Sequence, residues 1–350
     1  MPEKPFRIGL WNTAFLGDAV LTLPLAQTLR RAYPTAILDF YVRGGLEPLF
    51  ASHPLFTNVY GVHKKNKSLR SILTMGKAIQ KREYSLWVAA HSSLRTGMIS
   101  ALSRAPSRIG YSETPLHRLW FTKTTSRRFT ELDEIERLLE LARAAECTEL
   151  EFAPHFVVSD EANKEADAFF AKVALQAPAV IGLHPGSVWE TKRWPAESFA
   201  EVGRLALEAG AAVIVFAGPG EEGVAQATLQ RLQDGQPSAV LPRIIDLSGA
   251  LTLPQLGAYI ARLSCYVSND SGPMHVSWVQ GVPTVALFGP TVKSLGFFPR
   301  GEKTHVVEIP LACRPCGLHG HKQCPLKHHD CMRMITPAMV WEFVHPYICG

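Results

Sequence analysis

The chain contains no apolar run long enough to cross a bilayer as a helix; its most apolar segments, such as AAVIVFAG at 211–218, have the length of buried strands. Nothing near the N-terminus reads as a secretory signal, because the apolar run Ile8–Trp11 is brief and Asp18 soon interrupts the segment after it. The expectation is a protein made and kept in the cytoplasm. Cysteine is sparse and irregular: there are seven in 350 residues, and Cys147, Cys265 and Cys349 are scattered. An odd number without a repeating framework excludes a secreted disulfide scaffold. Low-complexity tracts and internal repeats are also missing.

Acidic residues nearly disappear between 60 and 128. Only Glu83 and Glu113 stand there against 14 Lys and Arg, so this segment carries +12 and the remainder of a chain of net +5 carries −7. Such asymmetry indicates either a solvated basic face or an anionic partner for the first half. The segment lacks a helix-turn-helix, a zinc finger and the aromatic signature of RNA-binding modules, which argues against nucleic acid. A phosphorylated, membrane-borne molecule fits the charge.

Apolar content of 47% with 19% charged residues describes a globular enzyme with more than one core. Short apolar runs alternate with amphipathic stretches, the βαβα pattern of parallel sheets. Arg7–Trp11, Ile37–Val42 and Leu86–Ala89 read as strands of a first unit. A helix from Gly17–Asp18 to about Tyr33 and a second over Glu131–Ala145 accompany them. A new unit starts near Pro178, with strands at Ala179–Leu183, Ala212–Ala217, Cys265–Ser268 and Thr284–Phe288. Helices are expected at Pro195–Ala209, after the capping box Thr252-Leu-Pro-Gln255, and from Pro337. The expected division is 1–158 and 178–335, joined by a helix at 159–177 that Ser159 or Asp160 caps, with a terminal helix at 336–350 packing back on the first domain. The fold class is α/β, two Rossmann-like domains facing across a cleft, where ligands bind beyond the carboxyl ends of the strands.

Five loops carry candidate chemistry. In VSNDSGPMHVSWVQGVPTVALFGPT (267–291), a strand ends at Ser268 and a polar turn, Asn269-Asp270-Ser271-Gly272, opens a helix. Amides at such a start suit a phosphate, and a structural turn with Asp270 as cap is the alternative. Phe288-Gly289-Pro290-Thr291 is a second tight turn on the same edge. In HPGSVWETKRWP (184–195), Lys192 and Arg193 bring two cations to where a diphosphate needs neutralising. Phe216-Ala-Gly-Pro-Gly-Glu-Glu222 ends a third strand, and a carboxylate there can accept bonds from ribose hydroxyls. In the first unit, Asn12–Pro24 (NTAFLGDAVLTLP) lacks the G-x-G-x-x-G spacing, which weighs against a dehydrogenase. Its Asp18 is either a helix cap or a base at the mouth of the cleft.

Taken together, SNDSGPMH…GVPTVALFGPT, HPGSVWETKRWP, LGDAVLTLP, the Ser107–Tyr111 turn and the cysteine-bearing tail resemble the lipopolysaccharide heptosyltransferase family, glycosyltransferase family 9, most of all its type II members. The resemblance covers nearly the whole chain. It implies the two-domain GT-B fold and metal-independent, inverting transfer of heptose from ADP-L-glycero-D-manno-heptose to the lipopolysaccharide inner core. Carried over residue by residue, Asp18 becomes the general base and Lys192 neutralises the diphosphate. Asp270, Ser271, Gly272 and His275, with Gly289 and Thr291, line the donor site, and Glu222 or Glu221 holds the ribose. Lys64, Lys65, Lys67 and Arg70 are candidates to face an acceptor, Kdo-lipid A or its heptosylated form, at the cytoplasmic face of the inner membrane. One departure is visible: the family often has His-Glu-Val-Glu-Arg where this chain has Asp133-Glu-Ile-Glu-Arg137.

Cys313, Cys316, Cys324 and Cys331, among His319, His321, His328 and His329, could hold a structural zinc or be reduced thiols packing a loop. The competing functions are another GT-B core-sugar transferase of type I or III, a nucleotide-sugar epimerase, and a non-catalytic anion-binding protein. Acceptor dependence separates the epimerase from the transferases, and the non-catalytic reading gives Asp18 no role.

Overall fold

The computed structural model describes residues 4–63 and 68–349, and the chain divides into two units, 1–157 and 158–350. Among the described residues of the first unit, six strands form one parallel sheet: β1 (Arg7–Asn12), β2 (Ile37–Arg43), β3 (Asn58–Val62), β4 (Leu86–Ala89), β5 (Ser107–Tyr111) and β6 (Lys123–Thr125). Their spatial order is β3-β2-β1-β4-β5-β6. The second unit repeats the plan with β7 (Val180–His184), β8 (Ala212–Ala217), β9 (Ile244–Ser248), β10 (Cys265–Asn269), β11 (Thr284–Phe288) and β12 (Thr304–Glu308), ordered β12-β11-β10-β7-β8-β9. Each is a doubly wound sheet of the Rossmann kind, as expected.

Parallel strands need crossovers, and helices then cover both faces, so the central strands are apolar throughout. Leu10 of β1 lies in register between Phe40 and Val88, and Val267 of β10 between Leu183 and Val285. Trp11, Tyr41, Tyr84 and Trp87 fill one side of the first core, and Trp194 and Phe199 anchor the second.

Several elements differ from their sequence reading. Ser107–Tyr111, read as a turn, is strand β5, paired on both sides with Ile109 and Tyr111 buried. The edge or near-edge strands β3, β6, β9 and β12 have no counterpart in that reading; they are short and partly polar, so no run of apolar residues announces them. The first helix is two, Leu16–Leu21 and Leu23–Ala32. Pro24 cannot donate to the helical ladder, and Thr22 turns its hydroxyl onto the Asp18 carbonyl at 2.7 Å.

The connecting helix, Asp160–Ala174, is capped by Ser159 and belongs to the second unit. Its Asn163 and Asp167 hold Arg262, and its Phe169 and Phe170 rings lie on Tyr259. The terminal helix Pro337–Val344 buries Val340 and Val344, one turn apart, in the core of the second unit. Trp194 ties it there by donating from Nε1 to the Ile335 carbonyl at 2.9 Å.

Candidate functional site

In both sheets the strand order reverses beside the first strand of the unit, between β1 and β4 and between β7 and β10. The crevice beyond the carboxyl ends at such a reversal is the general ligand position of doubly wound folds. The candidate residues collect at these two edges.

In the second unit, β10 delivers Asn269 and Asp270 to its edge. Asn269 is fully buried and ties three segments together: its amide donates to the carbonyls of Pro185 and Gly186, at 2.9 and 3.2 Å, and its oxygen accepts the Trp194 amide at 3.0 Å. This fixes the 184–194 loop against β10. Lys192 then meets Asp270, with Nζ 2.5 Å from Oδ2, and the Thr291 hydroxyl donates to the same oxygen at 2.6 Å. Burial pushes the Asp270 carboxyl up, but the Lys192 ammonium, the Thr291 hydroxyl and His275 hold it below the usual carboxylate range. The cation is therefore positioned by a partner that stays charged.

His275 lies one turn into the short helix Gly272–Trp278. Burial drives its imidazole down to about 4, Lys192 adding to the effect against Asp270, so it is neutral near pH 7. Its Nδ1 accepts from Trp278 Nε1 at 3.1 Å, which leaves the proton on Nε2 as a donor. Ser271 stands at the helix start without capping it through its side chain, so Gly272 opens the helix with its amides available to an anion. Gly289 has a different reason: a Cβ there would come within 2.2 Å of Met332 Sδ, so it serves the packing of the tail.

The two glutamates at the end of β8 separate cleanly. Glu221 Oε2 is 3.2 Å from His184 Nε2 and accepts the Gly218 amide at 3.0 Å. Burial opposes its ionisation, but these partners bring it below the usual range. Glu222 is less buried and accepts the Gly220 amide at 2.9 Å, which leaves lone pairs for a ligand. The turn has the spacing Gly218-x-Gly220-x-x-Gly223, with Gly220 at φ 85°. That spacing is legible in the sequence and is the signal that marks this turn.

In the first unit Asn12, at the end of β1, shapes the following loop. Its Nδ2 donates to Thr22 Oγ1 at 2.8 Å and to the Asp18 carbonyl at 3.2 Å. Asp18 does cap its helix, since Oδ2 accepts the Phe15 amide at 3.1 Å. A carboxylate has room for several more hydrogen bonds, so capping and proton transfer are compatible. Burial raises Asp18 to about 6 and Glu134 adds to the rise, against the Phe15 amide and Arg127.

The Glu134 group is absent from the sequence reading. Its carboxylate, buried at the start of the helix Glu134–Ala144, accepts two bonds from Arg127 Nη2, at 2.7 and 2.6 Å, and one from the buried Arg137 at 3.2 Å. Both guanidinium groups stack on Phe129, at 4.5 Å. The only sequence signal is an acid and a base three apart on an otherwise amphipathic helix. Asp133, the departure from the family pattern, caps that helix, its Oδ1 accepting the Glu136 amide at 3.1 Å.

Of the acceptor candidates, Arg70 is exposed in the first turn of the helix Leu69–Gln80, and Lys64, Lys65 and Lys67 lie outside the described residues. The cysteine tail does not bear out a zinc site. Cys313, Cys316, Cys324 and Cys331 are free thiols, and among the described residues no group of three or more His, Cys, Asp or Glu is arranged to hold a metal. Cys331 is buried against Gly289, while the Cys316 thiol turns to the Cys313 carbonyl at 3.3 Å. The tail instead buttresses the Lys192 loop. Thr191 Oγ1 donates to the His321 carbonyl at 2.8 Å, His329 Nε2 lies 2.7 Å from the Thr191 carbonyl, and His319 stacks on Trp189. Arg314, likewise outside the sequence reading, donates to the carbonyls of Phe288, Gly289 and Thr291 and so shapes the turn after β11.

Known proteins resemble the chain in both sequence and fold. The family model for glycosyltransferase family 9 (heptosyltransferase) matches residues 72–329. Lipooligosaccharide heptosyltransferase 2 of Campylobacter jejuni is 35% identical over 164 residues, which is 47% of this chain, and the match spans about half of that relative's length, 49%. Lipopolysaccharide heptosyltransferase 2 of Salmonella typhimurium is 25% identical over 349 residues, 95% of each chain. Among solved structures, a glycosyl transferase family 9 protein of Veillonella parvula superposes with a TM-score of 0.81 at 25% identity, covering 98% of this chain and 97% of its own.

Proposed function

The chain belongs to glycosyltransferase family 9, the heptosyltransferases, and from that premise we propose that it moves a heptose from ADP-L-glycero-D-manno-heptose to the inner core of lipopolysaccharide. The acceptor is Kdo-lipid A already bearing one heptose, a choice supported by the type II relatives. The observation that carries the reading is the buried Lys192–Asp270–Thr291 arrangement at the β7/β10 reversal. It holds one cation at that edge, which supports Lys192 as the group that neutralises the leaving diphosphate of a nucleotide sugar.

The reaction is one in-line displacement. Asp18 takes the proton of the acceptor hydroxyl as its oxygen bonds to the anomeric carbon. The bond from that carbon to the phosphate oxygen breaks on the opposite face, ADP keeps the electron pair, and the configuration inverts. Lys192 and the amides at Ser271–Gly272 stabilise the leaving diphosphate, His275 donates from Nε2 to the phosphates or sugar, and Glu222 holds the ribose. A carboxylate raised to about 6 is a base poised for work near neutrality.

Lys192 supplies the charge that a metal ion supplies elsewhere, so we propose a metal-independent enzyme whose turnover survives chelation. It works in the cytoplasm, at the inner face of the inner membrane, where its acceptor is anchored. Among the described residues no helix is long and apolar enough to cross that membrane. ADP release that requires both the heptosylated acceptor and Asp18 tests the reading. Release with the heptose-free acceptor alone would assign it to the first core position.

A further inference from the structure

We propose that the carboxyl edge of the first sheet is a docking face for an anionic phospholipid bilayer, with Leu69, Leu73, Leu94, Leu116 and Leu119 entering the headgroup region. This face rests on the transfer reading and gives its membrane contact a surface.

Five leucines are exposed within one stretch: Leu69 by 59%, Leu73 by 43%, Leu94 by 49%, Leu116 by 61% and Leu119 by 65%. They lie on or beside three helices that follow successive strands: Leu69–Gln80 after β3, Leu94–Leu102 after β4 and His117–Trp120 after β5. In a parallel sheet every such helix starts at the carboxyl edge. Leu69 and Leu94 are first residues of their helices, Leu73 is one turn on, and Leu116 directly precedes its helix. All five therefore gather on the edge where Asp18 sits.

The helices are neighbours. Gly76 faces Leu102, and Gly97 faces the Trp120 indole so closely that a Cβ would approach it to 2.3 Å. Scattered exposed leucines are ordinary; five on adjoining helix starts form a patch.

Cations stand beside them. Arg70 follows Leu69 and Arg118 precedes Leu119, both exposed, on helices that contain no Asp or Glu. The stretch has two acids. Glu83 precedes β4, hence lies at the opposite edge, and pairs with Lys4 at 2.9 Å. Glu113 accepts from the Ser126 hydroxyl and the Arg127 amide. Apolar side chains set beside cations match the boundary between headgroups and acyl chains. Each cation held near such a surface strengthens attachment about fivefold. Nucleic acid shares the charge preference but has no use for five leucines.

The test uses the full chain and sedimentation with vesicles of phosphatidylcholine, with and without phosphatidylglycerol. The wild type should bind the anionic vesicles, and less at high salt. Leu116→Ser/Leu119→Ser and, separately, Leu69→Ser/Leu73→Ser should each weaken binding by about tenfold or more while melting like the wild type. Turnover of a water-soluble acceptor fragment should stay unchanged in both variants, and turnover of vesicle-embedded acceptor should fall. Binding that ignores lipid charge, or that both variants retain, would overturn the docking face. So would variants that only abolish self-association in light scattering, which would make the patch a contact between copies. Absence of turnover with every acceptor would sink the transfer reading alone, since vesicle binding is measured without it.

Discussion

Arg127 grips Glu134 through two short bonds, at 2.7 and 2.6 Å, beside the carboxylate of Asp18. Asp18 thus titrates within a group of two carboxylates and two guanidiniums, and the balance of burial and Glu134 over Arg127 leaves it at about 6. The acid limb of kcat/KM should fall through about pH 6. Glu134→Gln removes a negative neighbour and leaves Arg127 uncompensated; both changes favour ionised Asp18. The limb should move down by about one pH unit. A pH profile of the variant with an unmoved limb would detach Glu134 from the base.

The same shift predicts a stability effect. Asp18 is raised in the folded protein, so its stabilising contribution is complete below the unfolded value near 3.8 and is lost as pH rises through about 6. Asp18→Asn keeps an oxygen for the Phe15 amide and avoids burying a charge. It should be more stable than the wild type at pH 7.5, by about 1–3 kcal/mol, and no more stable at pH 3.5. Thermal melts at the two pH values decide this.

Lys192 and Asp270 are buried together, and removing one strands the other. Lys192→Met should cost about 3–5 kcal/mol, as for other broken buried pairs, and Lys192→Met/Asp270→Asn should recover most of it. Activity should return in neither. Recovery of turnover by the double variant would show that the cation supports only the fold.

Glu221 and Glu222 should part in the same way. Glu221→Gln loses the pairing with His184 and should lower the melting temperature. Glu222→Gln should leave stability within about 0.5 kcal/mol while raising KM for the donor several-fold. The opposite pattern would make Glu221 the ribose ligand.

Much of this architecture is legible in the sequence, and the limits have physical causes. Central strands such as β8 and β11 are buried on both faces and announce themselves as apolar runs. Edge strands such as β9 (IIDLS) and β12 (THVVE) mix polar and apolar residues and do not. Asp270, Lys192 and Thr291 stand out because they sit in strand-end loops rich in glycine and charge. Asn269 reads only as part of its turn, because its role depends on carbonyl and amide partners 75 to 84 positions away. Glu134 is hidden because an acid in the first turn of a helix reads as ordinary dipole complementation. The cysteine tail suggests metal by composition, whereas its contacts to Thr191 arise from folding at long range.

The measurement that bears most directly on transfer with Asp18 as base is ADP release from ADP-heptose, with and without Kdo-lipid A bearing one heptose, for the wild type and Asp18→Asn. Release is expected only with acceptor, with a fall of about 10²–10⁴-fold in the variant while it remains folded. Acceptor-independent release, or an Asp18→Asn protein as active as the wild type, would contradict it.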